Sequence, residues 1–305
     1  MAGKVIALGG GTGTYTVLSG LKKYPLEITA IVSMADSGGS AKKERDEFGM
    51  LPVSDVRKAL LALAEEDPST RAGLLRELLN YRFAEGVGVE GTTFGNLFLV
   101  ALSSILGSQE KAIEEAGRFL GVKGRVLPAT FDQTNLVAEY DEGVTVVGEH
   151  EIDEPKHDPR LKIRRVYLLP ETKANPKALG ALKEADLVVI GPGDLFTSIL
   201  PVLLVKGVAE TLKKSKGRRV FILNLMNRFG QTNGFTASRY LSELEKYIGI
   251  KFDYVLVNEA PLPEEVLRRY ALAEKSYPVE DDLGKREGVI RGDFLSRRLV
   301  HGGTV

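Results

Sequence analysis

The chain has no cysteine, no tryptophan and only three histidines, His150, His157 and His301, among its 305 residues. Without cysteine there is no disulfide, no thiolate nucleophile and no Cys-ligated metal. Three scattered histidines argue against a multi-His metal site and leave few candidates for imidazole acid–base catalysis. An excess of charge of either sign is also missing, since 41 Lys and Arg balance 41 Asp and Glu. Nothing global therefore steers the chain to nucleic acid or to an anionic membrane surface. No apolar run approaches the ~20 residues needed to span a bilayer, and the first residues enter an apolar strand pattern rather than a leader peptide. These absences lead us to expect a cytoplasmic protein with no nucleic-acid partner and no membrane span.

What is present begins at once. Val5-Ile6-Ala7-Leu8 reads as a short buried strand and runs directly into Gly9-Gly10-Gly11-Thr12-Gly13-Thr14. Leu18 and Leu21 continue as a helix. Glycines let backbone approach a ligand closely, and the N–H groups opening a helix favour an anion such as phosphate. Gly10, Gly11, Thr12 and Gly13 are thus candidate phosphate-binding residues. The loop departs from the dinucleotide fingerprint, because the third glycine would fall at Thr14, and it carries no Walker lysine. A simple tight strand–helix turn remains open as the other reading.

Strand and helix patterns then alternate along the chain. Glu27–Met34 reads as a strand. Asp55–Ala64, Thr70–Phe83, Gly95–Leu106 and Ser108–Leu120 read as helices. Between Arg125 and Ile152 short β-like runs surround a turn at Asp141-Glu142-Gly143. Alternation resumes with strands at Arg165–Leu169, Leu187–Ile190, Val220–Leu223 and Tyr254–Val257, and a short one at Gly288–Ile290. Helices lie at Pro176–Glu184, within Leu195–Lys214, at Thr236–Ile248 and at Pro263–Ala271. The fold class expected is α/β: Rossmann-like and doubly wound, with a mainly parallel sheet and an antiparallel β insert at about 125–152. The whole of 1–305 reads as one domain.

In such a sheet ligands bind beyond the carboxyl ends of the strands. The segments found there are small and polar. They are the glycine turn, Asp36-Ser37-Gly38-Gly39-Ser40, Gly191-Pro192-Gly193-Asp194-Leu195-Phe196-Thr197-Ser198, and Asn224 with Met226 and Asn227. Thr197 and Ser198 bring hydroxyls to a helix start, which suits a phosphate. Asp36 stands where an acid could grip a ribose hydroxyl, hold Mg²⁺ against a nucleotide diphosphate, or merely form an Asx turn. Asn96, beside Gly95, could cap its helix or contact a ligand. No Ser-His-Asp order with a nucleophile elbow is visible.

Taken in order, these blocks resemble the YvcK family, the gluconeogenesis-factor family, which shares a superfamily with 2-phospho-L-lactate transferase (CofD). Carrying the resemblance are Gly9–Gly13, Ala35–Ser40, Pro52 with Asp55-Val56-Arg57, Gly95-Asn96-Leu97-Phe98-Leu99 and Gly124-Arg125-Val126-Leu127-Pro128. Further on, Ala185–Gly193, Thr197–Pro201, Asn224-Leu225-Met226 and Gly234–Ser238 extend it over nearly the whole chain.

The resemblance implies a cytosolic protein that binds UDP-N-acetylglucosamine or UDP-glucose. It implies a role in carbon metabolism, cell-wall precursor supply and cell shape, with protein partners in wall-precursor synthesis. It further implies that Tyr270 stacks on the base and that Arg291 pairs with the diphosphate. We expect a homo-oligomer and a regulatory binder rather than an enzyme. The alternative is a CofD-like transferase that moves a phospholactyl group from a guanosine diphosphate derivative, with Mg²⁺. A flavin-like acceptor needs a large aromatic cleft, and aromatics make up only 7% of this chain. The chain departs from the family pattern at Gly91–Asn96, where a histidine is lost, and at Gly230–Phe235, where two acids and a phenol are lost. The stretch between Tyr270 and Arg291 is also short.

Overall fold

A computed structural model describes residues 2–38, 49–67 and 69–295. β1 (Lys4–Gly9) and α1 (Gly11–Leu21) lead into β2 (Glu27–Val32). α2 (Ser54–Leu63), α3 (Arg71–Asn80), α4 (Phe94–Leu106) and α5 (Gln109–Phe119) precede β3 (Arg125–Pro128). Next come β4 (Asn135–Tyr140), β5 (Thr145–Val147), the short α6 (Glu149–Asp153) and β6 (Ile163–Leu169). The described order ends with α7 (Pro176–Glu184), β7 (Leu187–Ile190), a π-turn (Leu195–Ile199), α8 (Leu200–Leu203), α9 (Val208–Lys214), β8 (Arg218–Ile222), α10 (Ala237–Ile248), β9 (Tyr254–Asn258), α11 (Glu264–Ala273) and β10 (Val289–Gly292).

Seven strands form one sheet in the order β10-β9-β8-β7-β1-β2-β3, and every neighbouring pair is parallel. Its central strands are buried on both faces, which is why they read as unbroken apolar runs. Side chains alternate across β1. Ile6 and Leu8 join the core beneath α7, α9 and α10, while Ala7 joins Leu18, Val56, Leu60 and Ile113 on the other side. The chain winds outward in both directions from β1, so the strand order reverses between β1 and β7. A crevice opens there, beyond the carboxyl ends of the strands. No helix among the described residues is long and apolar enough to cross a membrane.

The antiparallel insert exists, but its limits differ from 125–152. Arg125–Pro128 is no part of it, because this segment pairs in parallel with β2 and forms the edge of the main sheet. The second sheet is β5-β4-β6, so the strand read from sequence at Arg165–Leu169 as part of the main alternation belongs to it, as β6. The physical distinction is one-sidedness. Arg164 and Arg165 stand exposed on β6 and pair with Asp141 and Glu139. Ile163 and Val166 turn inward onto the core. A strand wet on one face suits an antiparallel sheet, whereas buried Val126 and Leu127 suit a parallel one.

Candidate functional site

The crevice at β1 and β7 holds a cleft of about 340 Å³. Its floor is the glycine turn. Gly10 precedes α1 in an extended conformation, and Gly11 turns through φ +66°. Two glycines are there for room. A Cβ on Gly10 would lie 2.2 Å from a carboxylate oxygen of Asp55, and one on Gly13 would lie 2.1 Å from the Pro192 carbonyl oxygen. The turn is thus pressed between α2 and the loop after β7.

That second loop is held by Asn224. Its side-chain amide donates to the Gly193 carbonyl at 2.8 Å and accepts from the Gly193 N–H at 3.3 Å. The Leu195–Ile199 segment is a single π-turn rather than the start of an α-helix, a local irregularity often found at functional sites. Gly10, Gly11, Thr12, Gly13, Asp36, Gly193, Asp194, Thr197, Ser198 and Asn224, all read from sequence, line this one cleft. Asp36 does two things at once. It lines the cleft and accepts from the Gly38 N–H at 3.0 Å, an Asx turn.

Other expected residues lie elsewhere. Gly38 packs against His150 and does not line the cleft, nor does Gly191. Gly39 and Ser40 lie outside the described residues. Asn96 is 1% exposed, and its carbonyl oxygen accepts from Arg57 Nε at 2.9 Å, so it positions a guanidinium. Arg291 lies on β10 in a bidentate pair with Asp281, at 2.6 and 3.1 Å. Tyr270 lies on α11, one turn before Glu274, which approaches Arg228 at 3.9 Å.

Sequence reasoning missed the acids that dominate the site. Asp55, Glu149 and Asp153 join Asp36 and Asp194, with Ser33 and Lys58 beside them. Asp55 reads from sequence as the start of its own helix. It also accepts from the Gly11 N–H at 2.9 Å and so caps α1 from across the crevice. Burial raises its pKa despite Lys58 at 3.7 Å. Asp153 bonds to Arg228 at 2.7 Å and to the Gln231 amide at 2.8 Å. Burial pushes Asp194 up to about 6, against the pull of Arg228. Glu149 is pushed up to about 8 by burial and then by the charges of Asp36, Asp153 and Asp55. Among the described residues no three acidic or histidine side chains converge tightly enough to hold a metal ion unaided.

Glu149 gives a signed pH dependence. Its folded pKa is raised, so the folded chain binds more protons than the unfolded one between about pH 4.3 and 8. Stability contributed at this position is therefore lost as pH rises through that window. Glu149→Gln should come close to wild type at pH 4 and exceed it at pH 8, by on the order of 1–2 kcal/mol after discounting for the neighbouring acids. Denaturant midpoints at the two pH values check this, and an equal difference at both would be the wrong result.

Residues 5–294 match the sequence profile of the family described as 2-phospho-L-lactate transferase CofD. The chain belongs to the CofD family. Its curated relatives place it on the gluconeogenesis-factor branch of that family. It is 43% identical over 277 residues to the gluconeogenesis factor of Halalkalibacterium halodurans, covering 90% of this chain and 83% of that one. To the gluconeogenesis factor of Bacillus subtilis it is 39% identical over 282 residues, covering 92% and 86%. A relative from Nostoc sp. is 42% identical over 300 residues; the match takes in 97% of this chain but only 62% of the relative's length. A crystal structure of a upf0052-family protein from Bacillus halodurans superposes with a TM-score of 0.90 at 40% identity, over 98% of this chain and 94% of that one. CofD-family membership agrees with both the parallel sheet and the order of motifs.

Proposed function

We propose that this chain binds a nucleotide sugar, UDP-N-acetylglucosamine or UDP-glucose, across the β1–β7 crevice. It acts as a regulatory binder linked to carbon metabolism and wall-precursor supply. The observation that carries the reading is convergence. The Gly10–Gly13 turn, the Gly193–Ser198 turn and Asn224 come from segments far apart in sequence and line one cleft. Backbone N–H groups at a glycine turn suit a diphosphate.

The ionised carboxylates of this cleft would repel that diphosphate, so a bridging divalent cation belongs to the proposal. Mg²⁺ is commonly bound by one or two carboxylates together with substrate phosphates. That need fits acids which do not close a metal site alone. Asp36, with Asp55 or Asp194, would hold it, and its charge would screen the acids from the phosphates. Tyr270 stacking on uracil and Arg291 pairing with phosphate come from the family resemblance. Arg291 would exchange its Asp281 partner to do so.

Calorimetry tests the reading. UDP-N-acetylglucosamine with Mg²⁺ should bind, and at a hundredfold excess over Kd it should stabilise the fold by about 2.7 kcal/mol. Tyr270→Ala should weaken binding and leave the fold intact. No binding of either UDP-sugar, with clear binding of GDP, would favour the transferase reading. One observation speaks for that second reading. Asp194 and Glu149 have pKa values near neutrality, as general acids and bases need. Phosphorus NMR of UDP-N-acetylglucosamine with Mg²⁺ decides it, since turnover that disappears in Asp36→Asn would establish an enzyme.

A further inference from the structure

Against the acidic cleft lies a second pocket of opposite charge, about 210 Å³ in volume. It shares Thr12 and Lys58 with the cleft, and Tyr15, Arg57, Leu61, Arg76 and Asn80 make up the rest of its wall. Three cationic side chains line it, and no carboxylate of the described residues does.

Arg76 is held by neutral oxygens, and two side-chain amide oxygens orient Arg57. Arg76 donates from Nε to the Leu61 carbonyl at 3.1 Å and from Nη2 to the Tyr15 hydroxyl at 2.6 Å. Arg57, only 6% exposed, donates from Nε to Asn96 at 2.9 Å and from Nη1 to Asn80 at 3.2 Å. Gly95 makes this possible, because a Cβ there would lie 2.6 Å from Arg57 Cδ and 2.3 Å from the Leu79 carbonyl oxygen. The Gly95-Asn96 pair thus serves to aim a buried guanidinium at this pocket. Holding Arg76 half-buried here costs desolvation of positive charge, and among the described residues no carboxylate forms an ion pair with Arg76. An anion in the pocket would offset that cost. Arginine forks fixed in advance suit a tetrahedral phosphoryl group. The volume falls below that of sites for drug-sized ligands.

We infer that this side pocket is a phosphoryl-binding subsite, built by Arg57, Arg76 and Lys58 for a group smaller than a nucleoside and seated beside the main cleft. The phosphoryl group has two possible sources: a separate small phosphate ester, or a distal phosphate of whatever occupies the cleft. The inference goes beyond the nucleotide-sugar reading and does not depend on it.

Calorimetry with glycerol 3-phosphate, inorganic phosphate and glycerol as probes tests it on the full chain, alongside Arg76→Gln and Arg76→Lys. Circular dichroism and the thermal midpoint confirm that both variants are folded. Glycerol 3-phosphate should bind wild type where glycerol does not. Arg76→Gln should lose roughly tenfold or more in affinity, as expected for one charge-assisted hydrogen bond, and Arg76→Lys should recover part of it. If the source is a separate ester, UDP-N-acetylglucosamine affinity is unchanged in Arg76→Gln. If it is a distal phosphate of the cleft ligand, that affinity falls instead. The inference is overturned if neither phosphate probe binds and Arg76→Gln leaves nucleotide affinity unchanged, or if the probes bind wild type and Arg76→Gln equally. Failure of UDP-sugar binding alone leaves the glycerol 3-phosphate result standing.

Discussion

Gly13→Ala should be among the most damaging single-methyl additions to this fold. The new Cβ would stand 2.1 Å from the Pro192 carbonyl oxygen and 2.6 Å from its carbon. Those are backbone atoms, in a loop that Asn224 already clamps at Gly193. No flexible side chain can swing away, so either α1 or the loop must shift. Overpacking of this kind costs about 1–3 kcal/mol, and backbone contact puts the expected loss near the top of that range. Nucleotide affinity should fall with it, because both loops line the cleft. Gly20→Ala is the control. Gly20 lies in the same helix, α1, with nothing within 4 Å of the added methyl. Removing a helical glycine there should stabilise by about 0.5–1 kcal/mol. Urea midpoints of the two variants should therefore move in opposite directions. Equal or reversed shifts would mean that the glycine turn is not pressed against the β7 loop as described.

The architecture was legible in the sequence because its signals are local. Unbroken apolar runs such as Val5–Leu8 and Leu187–Ile190 announce strands buried on both faces, and helical spacing between them announces the doubly wound order. Glycine turns follow those runs directly, so ten cleft residues could be named from spacing alone. What escaped depends on contacts that spacing does not encode. β3 and β6 exchanged sheets because a short apolar run does not reveal its pairing partner. Asp55 reads as the start of its own helix, yet it also serves α1 from 44 positions away. Glu149 and Asp153 lie four apart on a five-residue helix, at the end of the segment that reads from sequence as the β insert. Their i, i+4 spacing was the available signal, and only the fold shows which way that face points. Asn96 failed in the opposite direction. A polar residue opening an apolar helix reads as a cap or a ligand contact, and the structure gives it an internal guanidinium to hold.

The amide at Gln231, where the resemblance implies an acid, also has a physical account. Gln231 donates its amide to Asp153 at 2.8 Å and approaches Thr197 at 3.4 Å. A glutamate at this position would place another negative charge against Asp153, at the edge of a cleft already holding five acids. Gln231 keeps the contact and removes the repulsion. Gln231 thus lowers the charge the site must balance.

Arg228 carries most of the remaining balance, and Arg228→Met should expose how much. Its guanidinium pairs with Asp153 at 2.7 Å, lies 3.9 Å from Glu274 and draws the Asp194 carboxyl downward. Both members of the Asp153 pair keep less than a third of their side-chain surface exposed. Deleting one partner of a buried pair leaves an uncompensated charge and costs about 3–5 kcal/mol; partial exposure lowers the expectation to about 2–4 kcal/mol at pH 8. Methionine keeps the volume of the stem, so the loss reports charge rather than packing. The sign with pH follows from Asp194. Its pKa already stands at about 6 and would rise further without Arg228. The folded variant then binds more protons than its unfolded chain from about pH 3.9 up to that raised value. Stability at this site is lost as pH rises through the window and recovered as it falls. Chemical denaturation at pH 5 and pH 8 should show a deficit that shrinks markedly at pH 5. A deficit of equal size at both values would mean that Arg228 does not act through the titration of Asp194, and would remove the argument that this carboxyl depends on Arg228 to stay ionised.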